Sequence, residues 1–286
     1  MEISFRKDKK RKIAYWDKIT ISDWANTSPP WRPSLKEQKI IGELIKIISF
    51  KALNCNIALL GVTPEIRSIL AKQRLSVDII DYSFNMYTIA SQFSQANPNE
   101  NYFQKDWLSF FKQCKSARYD LILGDLIFRL LPTTTLETLL KYMARSLKKN
   151  GKLLFRVHLG KKHSQAAPLP KVLEDFQKSK LSKEEIVDRL FFPLSEYFRK
   201  ADSHVDLRGM KKIVSQYSQQ TISKKRRQIL QTFIDKWTII PLSFYVRTKS
   251  EIDRLMSFSF QREHCYPSQY GNFINIYTLV WRKFVG

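Results

Sequence analysis

The 286-residue sequence predicts an α/β fold: a mostly parallel sheet closed by an antiparallel hairpin, with a helical insertion between the two parts. Three observations predict it. From Asn56 to Leu159, short apolar runs alternate with segments of helical period, as parallel strands joined by right-handed crossover helices require. From 171 to 238 that rhythm gives way to consecutive helices. Phe258–Tyr266 and Phe273–Trp281 then alternate like an antiparallel pair joined by P-S-Q-Y-G-N. The resulting divisions are an N-terminal arm (1–33), a core (34–160), a helical insertion or substrate lid (161–250) and a closing hairpin (251–286).

The arm is basic and carries Tyr15, Trp16, Trp24 and Trp31 among Ser, Asn and Pro, ending in S-P-P-W-R-P-S. Consecutive prolines deny it a regular helix, so its tryptophans must pack on something else. It is an anchor draped over the core, or a lid in which Trp31 and Arg32 approach a bound ligand. Ser34 and Glu37 form a capping box, and Ile40, Ile41, Leu44, Ile45 and Ile48 line the buried face of the helix that follows.

The stretch from Asn56 to Met86 organises the rest. Ile57, Leu59 and Leu60 lead into Gly61; Thr63 is placed to cap the next helix and Pro64 suits its first position. Val77, Ile79 and Ile80 form a second buried strand, ended by Asp81 about twenty residues after Gly61. This is half of a nucleotide-binding βαβ unit: a glycine turn, then a carboxylate that can accept both ribose hydroxyls. It is not a dinucleotide fingerprint, because Thr63 has a Cβ and Pro64 lacks the N–H that a pyrophosphate needs. No Gly-Lys-Ser/Thr follows, so a P-loop is absent. Two readings stand: a ligand with ribose and no phosphate, such as S-adenosylmethionine, or a generic doubly wound sheet whose Asp81 caps a turn.

Further elements follow in order. Ser83–Phe93 is a helix with Met86 and Ala90 inward. Tyr102 and Phe103 form a short strand before Asp106 and Trp107. Tyr119–Leu123 is a buried strand ending in Gly124-Asp125. Leu136–Leu147 is an amphipathic helix closed by Asn150-Gly151, and Lys152–Leu159 is the fifth strand. The insertion reads as helices Val172–Lys178, Lys183–Arg199 bent at Pro193, Leu207–Tyr217 and Lys224–Trp237. Leu242–Val246 reads as a short strand, and Ser250–Met256 as a helix.

No apolar run reaches the roughly twenty residues of a membrane span, and M-E-I-S-F-R-K-D-K-K-R-K lacks the apolar segment of a secretory signal. Cys55, Cys114 and Cys265 are too few and too scattered for a disulfide framework or a zinc site, so the expectation is a reducing, cytoplasmic setting and no metal. The formal charge of +23 suits nucleic acid, an acidic partner or a membrane surface. The excess is spread over both halves, and its two clusters, Arg6–Lys12 and Lys224–Arg227, read as solvated faces.

With these residues placed, the chain resembles the class I S-adenosylmethionine-dependent methyltransferases, over roughly 34–160 and 255–284. Their first motif falls on Leu59–Glu65, their ribose acid on Asp81, their adenine-site acid on Asp106 and their fourth motif on Asp120–Leu126. The stretch L-K-K-N-G-K-L-L-F-R-V matches their entry to the fifth strand. The resemblance implies a Rossmann-like, seven-stranded methyltransferase sheet with one antiparallel strand. It implies S-adenosylmethionine as cofactor, held by Leu60, Gly61, Thr63, Asp81, Tyr82, Met86, Asp106, Trp107 and Gly124. Glu65 or Asp125 would face the ligand's ammonium, and Trp31 and Arg32 its methionine end. The glycine-rich loop is reduced to Gly61. G-D-L-I replaces the Asn/Asp-Pro-Pro-Tyr of enzymes that methylate exocyclic amines of DNA bases.

A sulfonium methyl donor is already activated, so a base is optional; His158, ending the fifth strand, and Tyr15 are the candidates for catalysis, with Asp125 close by, and His158 reads alternatively as a satisfied core or rim histidine. The leading expectation is methyl transfer to an O or N nucleophile of a small molecule or peptide, and the net charge of +23 suits an anionic one. The alternatives are an RNA methyltransferase, motivated by charge but lacking a recognisable RNA-binding module, and a catalytically silent binding protein on the same fold.

Overall fold

In a computed structural model of the chain, the structure describes residues 13–284 except 53, 162–165, 238–239, 241 and 271–273. The basic cluster Arg6–Lys12 and the Phe273 end of the predicted hairpin lie outside the described residues.

Seven strands form one sheet: β1 (Ile57–Leu60), β2 (Val77–Asp81), β3 (Glu100–Gln104), β4 (Tyr119–Asp125), β5 (Leu147–His158), β6 (Phe260–Gln269) and β7 (Asn275–Lys283), in the order β3-β2-β1-β4-β5-β7-β6. The first five pair in parallel. β7 runs antiparallel to both β5 and β6, as the alternation near the C-terminus predicts.

Side-chain alternation along the strands sorts the helices onto two faces. Leu59, Ile79, Leu121 and Leu154 point to one side, where they meet Ile41 and Ile45 of α2 (Leu35–Phe50), Ile66 and Leu70 of α3 (Pro64–Lys72) and Ala90 of α4 (Phe84–Ser91). Ala58, Leu60, Ile122 and Phe155 point to the other. They meet Phe111 of α5 (Trp107–Gln113), Leu139 and Met143 of α6 (Thr133–Ser146) and Ile252 of α11 (Lys249–Met256). A third apolar cluster belongs to the insertion: α7 (Leu169–Gln177), α8 (Lys183–Tyr197), α9 (Leu207–Gln220) and α10 (Lys224–Trp237) bury Phe176, Phe191, Val214 and Phe233 against one another. Trp31 and Tyr15 of the arm pack on this cluster.

Several local expectations are corrected. The arm contains a short helix, α1 (Ile21–Ala25), made possible by a capping box between Thr20 and Asp23 that lies ahead of the prolines. Thr63 stands at the N-cap of α3 with Pro64 after it, but its hydroxyl makes no capping bond. It donates instead to Asp125 Oδ2 at 3.3 Å. The helix before β5 ends at Ser146, and Asn150, not Gly151, takes the left-handed conformation, at φ 64°, inside the extended strand. Leu242–Val246 forms no strand; only single bridges tie Tyr245 to His204 and Arg247 to Leu159. Cys55 and Cys114 are buried free thiols and Cys265 an exposed one. No described helix is long and apolar enough to cross a membrane.

Candidate active site

In an open parallel sheet, ligands bind beyond the carboxyl ends of the strands, where the strand order reverses. Here that point lies between β1 and β4. Gly61 follows β1 with φ 87°, a conformation that L side chains rarely adopt, and a Cβ there would lie 4.0 Å from Asp81 Oδ2. The glycine turn and the acid at the end of β2 therefore lie close together, and it is the backbone conformation that calls for glycine there. Asp81 Oδ1 accepts the Ser83 N–H at 2.8 Å. Burial pushes the Asp81 carboxyl up to about 7, against the pull of the Ser83 and Tyr82 backbone amides, and no cation appears among these influences.

The acid at the end of β4 is treated differently. Asp125 Oδ1 accepts Arg156 Nε at 2.7 Å, with both side chains almost wholly enclosed. Arg156 also donates to the Pro30 and Trp31 carbonyls, at 2.8 and 3.2 Å, and approaches Glu37 at 3.5 Å. Burial works against this guanidinium, but Asp125 and Glu37 hold its pKa above the ordinary arginine value. Glu37 also accepts a hydrogen bond from the Tyr270 hydroxyl. One buried arginine thus ties the arm, β4, α2 and the segment before β7 together.

The arm crosses this end of the sheet. Asn85 at the start of α4 donates to the Trp16 and Ile19 carbonyls at 3.1 and 3.0 Å, and Ser83 donates to Asp17 at 3.0 Å. Arg32 pairs with Glu65 at 2.6 Å, so it does not stand free to meet a ligand carboxylate as the sequence suggested. Glu65 Oε2, by contrast, is buried with no hydrogen-bond partner. Trp31 stacks on Trp237 at 4.5 Å and packs against Phe191, Phe192 and Phe244 of the insertion. Its ring therefore packs on the insertion rather than on the β1 turn.

A cavity of about 810 Å³ lies between the arm, the β1 and β4 ends and the insertion. Of the residues predicted from sequence, Tyr15, Trp31, Thr63 and Asp125 line it. A second hollow, of about 670 Å³, lies at the opposite end of the strands around Cys55, Leu75 and Asn99, and no acid lines it.

His158 is not among the lining residues. It ends β5 as expected, but its ring is buried, with Nδ1 3.2 Å from Arg129 Nη1 and Nε2 3.1 Å from Glu196 Oε1. The arginine can only donate, so Nδ1 accepts, and a neutral ring then carries its hydrogen on Nε2 towards Glu196. Burial and the adjacent Arg129 lower its pKa despite Glu196. Both ring nitrogens are occupied, so of the two readings of His158 the satisfied histidine matches the structure, and its candidacy as the base that takes a substrate proton is corrected. Tyr15 does face the cavity, but burial pushes its phenol up to about 12, so at neutral pH it is a donor and not a base.

The remaining predicted residues are placed as follows. Asp106 caps α5, with Oδ1 accepting the Ser109 N–H at 2.9 Å and Oδ2 the Ser109 hydroxyl at 2.7 Å. Trp107 donates from its indole to the Ile80 carbonyl at 2.8 Å. Met86 and Leu60 are buried. Tyr82 is half-buried beside Asp81, and its carbonyl accepts Gln104 Nε2 at 3.4 Å. Gly124 is a packing glycine: a Cβ would come within 2.9 Å of the Phe155 ring. Lys224, Lys225 and Arg227 are exposed at the start of α10. Among the described residues no group of three or more His, Cys, Asp or Glu is placed to hold a metal ion.

Sequence reading missed two residues of this end of the sheet. Arg156 had a visible signal, a charge inside the apolar strand L-L-F-R-V, since arginine is almost never fully buried unpaired. Arg129, in the short 3-10 turn Ile127–Arg129 after β4, had none.

Solved structures with this architecture span nearly the whole chain. A magnesium protoporphyrin IX methyltransferase from Synechocystis PCC 6803, with bound S-adenosylhomocysteine, aligns at TM-score 0.53 and 11% identity, over 97% of this chain and 100% of that one. The N-methyltransferase NodS from Bradyrhizobium japonicum WM9, in complex with S-adenosylhomocysteine, aligns at TM-score 0.51 and 11% identity, over 96% and 97%. The fold is that of the class I S-adenosylmethionine-dependent methyltransferases. At such identities the likeness shows the fold alone. A Rhodobacter sphaeroides structure described as putative Zn-dependent alcohol dehydrogenases also aligns, at TM-score 0.59 and 15% identity, over 96% and 99%. No protein-family model matches the chain, and no curated protein matches it by sequence.

Proposed function

We propose that the protein is an S-adenosylmethionine-dependent methyltransferase that transfers a methyl group to an O or N nucleophile of a small molecule or peptide. The observation that carries the reading is the pairing of Gly61, at φ 87°, with Asp81, a partly buried acid with no cation among the groups that shift it. Two neighbouring ribose hydroxyls would give that carboxylate the charge-assisted hydrogen bonds it lacks.

The residues fit the cofactor at its other end too. Glu65 Oε2 is a buried acceptor without a partner, the kind of group that costs free energy until a donor arrives. The ammonium of a methionine tail is such a donor, with Thr63 and Asp125 beside it. Met86, Tyr82 and Trp107 would pack on the ribose and adenine, and Asp106 would share its carboxylate between Ser109 and the adenine amino group. Leu60 and Gly124 would shape the floor. When bound, S-adenosylmethionine supplies an activated methyl group on a sulfonium, so the protein's task is to align the acceptor and exclude water.

The cavity supports that division of labour. Asp125 is spent on Arg156 and Tyr15 stays protonated. The carboxylates of Asp23 and Glu184 sit at its exposed rim. Calorimetry with S-adenosylhomocysteine tests the assignment. The parent protein should bind at micromolar strength, and Asp81→Ala should weaken binding by about 2 kcal/mol, about thirtyfold. Equal binding by both proteins would show that Asp81 does not hold a ribose.

A further inference from the structure

Arg129 is 2% exposed and lines the cavity. Its terminal nitrogens reach His158 Nδ1 and Ser195 Oγ, at 3.2 Å each. Both are uncharged groups. Its Nε is buried with no hydrogen-bond partner. Its guanidinium lies over Trp31, Phe191 and Phe192, 5.1, 5.2 and 4.4 Å from the ring centroids. Glu196 stands on the far side of the His158 ring, bonded to Nε2. A buried cation is normally paired with a carboxylate, because desolvating an unpaired charge is costly. Aromatic faces offset only part of that cost.

We propose that Arg129 is the recognition site for a carboxylate on the substrate, and that the substrate is an aromatic acid whose ring lies among Trp16, Trp24, Trp31, Trp237 and Phe244. The inference rests on the methyltransferase reading for what happens to the substrate, though not for the binding itself. Three features select this class of ligand. The guanidinium is a planar fork that matches a carboxylate in two parallel hydrogen bonds. It is the one cation in the interior of the cavity wall among the described residues. Lys236 is taken by Asp188 at 2.5 Å, and Lys18 is exposed, so a single negative charge fits better than a phosphate dianion. The walls are flat and aromatic, and such surfaces take rings in offset stacks or edge-to-face. The backbone supports the placement: Leu126, a lining residue four positions after Ile122 of the buried strand, takes φ 53°, and this turn swings Arg129 from the end of β4 into the wall.

Binding of three acids, 4-hydroxybenzoate, indole-3-acetate and naphthalene-2-carboxylate, is measured by calorimetry beside their three amides, on protein saturated with S-adenosylhomocysteine. At least one acid should bind tenfold or more tightly than its amide, and Arg129→Gln should erase that preference while S-adenosylhomocysteine affinity stays within twofold. If no acid is preferred to its amide, or if Arg129→Gln keeps the preference, the proposal is overturned. Should Arg129→Gln fail to fold, a crystal of the parent protein with the preferred acid decides: the carboxylate lies within hydrogen-bond distance of the Arg129 guanidinium, or the proposal fails. If S-adenosylhomocysteine does not bind at all, the methyltransferase reading falls, and the same comparison on the ligand-free protein still decides the carboxylate site.

Discussion

Arg156 and Arg129 are buried at the same end of the sheet, one inside β5 and one just beyond β4, yet their surroundings are opposite. Arg156 meets Asp125, Glu37 and two carbonyls of the arm. Arg129 meets a histidine, a serine and three aromatic faces. The carboxylates show the same split: Asp125 is paired with a guanidinium, and Asp81 has only backbone amides. The proposed division is that saturated charges hold the fold, while charges left short of partners wait for ligands. Burial alone would not separate the two arginines, since both are enclosed; the inventory of partners does.

Substitution at Arg156 should produce the largest effect. Arg156→Met leaves Asp125 and Glu37 facing each other uncompensated in the interior, and should cost about 3–5 kcal/mol in urea denaturation. A loss below about 1 kcal/mol would mean that the cluster does not hold the arm and sheet together.

The next effect is in pH. The Asp81 carboxyl is raised from 3.8 to about 7 by burial. An acid raised in the folded state contributes stability that is fully present below its unfolded value and is lost as pH rises through the folded one. Stability measured from pH 4 to 8 should therefore fall more steeply for the parent than for Asp81→Asn, the two curves becoming parallel above about pH 7.5. Affinity for S-adenosylhomocysteine should move the other way, rising by up to about tenfold per unit below pH 7, because hydroxyl donors favour the ionised carboxylate. A pH-independent affinity in this window would remove Asp81 from the site.

The smallest change is expected at Arg129. Arg129→Met removes a buried charge that makes no direct ion pair, Glu196 acting on it only from behind the His158 ring, so denaturation should shift by less than it does for Arg156→Met. A loss as large as that of Arg156→Met would erase the contrast between the two arginines.

Much of the fold is legible in the sequence because it depends on local periodicity. The β1–α3–β2 unit, the Ser34–Glu37 box and the antiparallel β7 all follow from patterns within about twenty residues. What escaped depends on distant partners. Thr63 has the right position for a cap, but Asp125, far along the chain, takes its hydroxyl. His158 looks free in a list of residues and is enclosed by Arg129 and Glu196, which come from other elements. Glu37 reads as the residue that completes the Ser34 capping box and does so, accepting the Ser34 N–H, yet it is also fully buried against Arg156 and Tyr270. Of the candidate site, sequence located the glycine turn and the acids at the strand ends; the insertion's side of the cavity carried no motif.

The place of β7 bears on how the chain reaches this structure. Its partners on β5 are remote, Lys152 with Arg282 and His158 with Ile276, while the insertion's contacts are mostly between neighbouring helices. Closing a long loop costs entropy before any pairing rewards it, so local structure forms sooner. Until β7 arrives, β5 presents an unsatisfied edge bearing Leu153, Phe155 and Val157, a template on which another unfinished chain can pair. Pulse-labelled hydrogen exchange during refolding should find α8 and α10 protected before β7, and the yield of native protein should drop as protein concentration rises. Simultaneous protection of β7 and these helices would show instead that the sheet and its insertion fold as one unit.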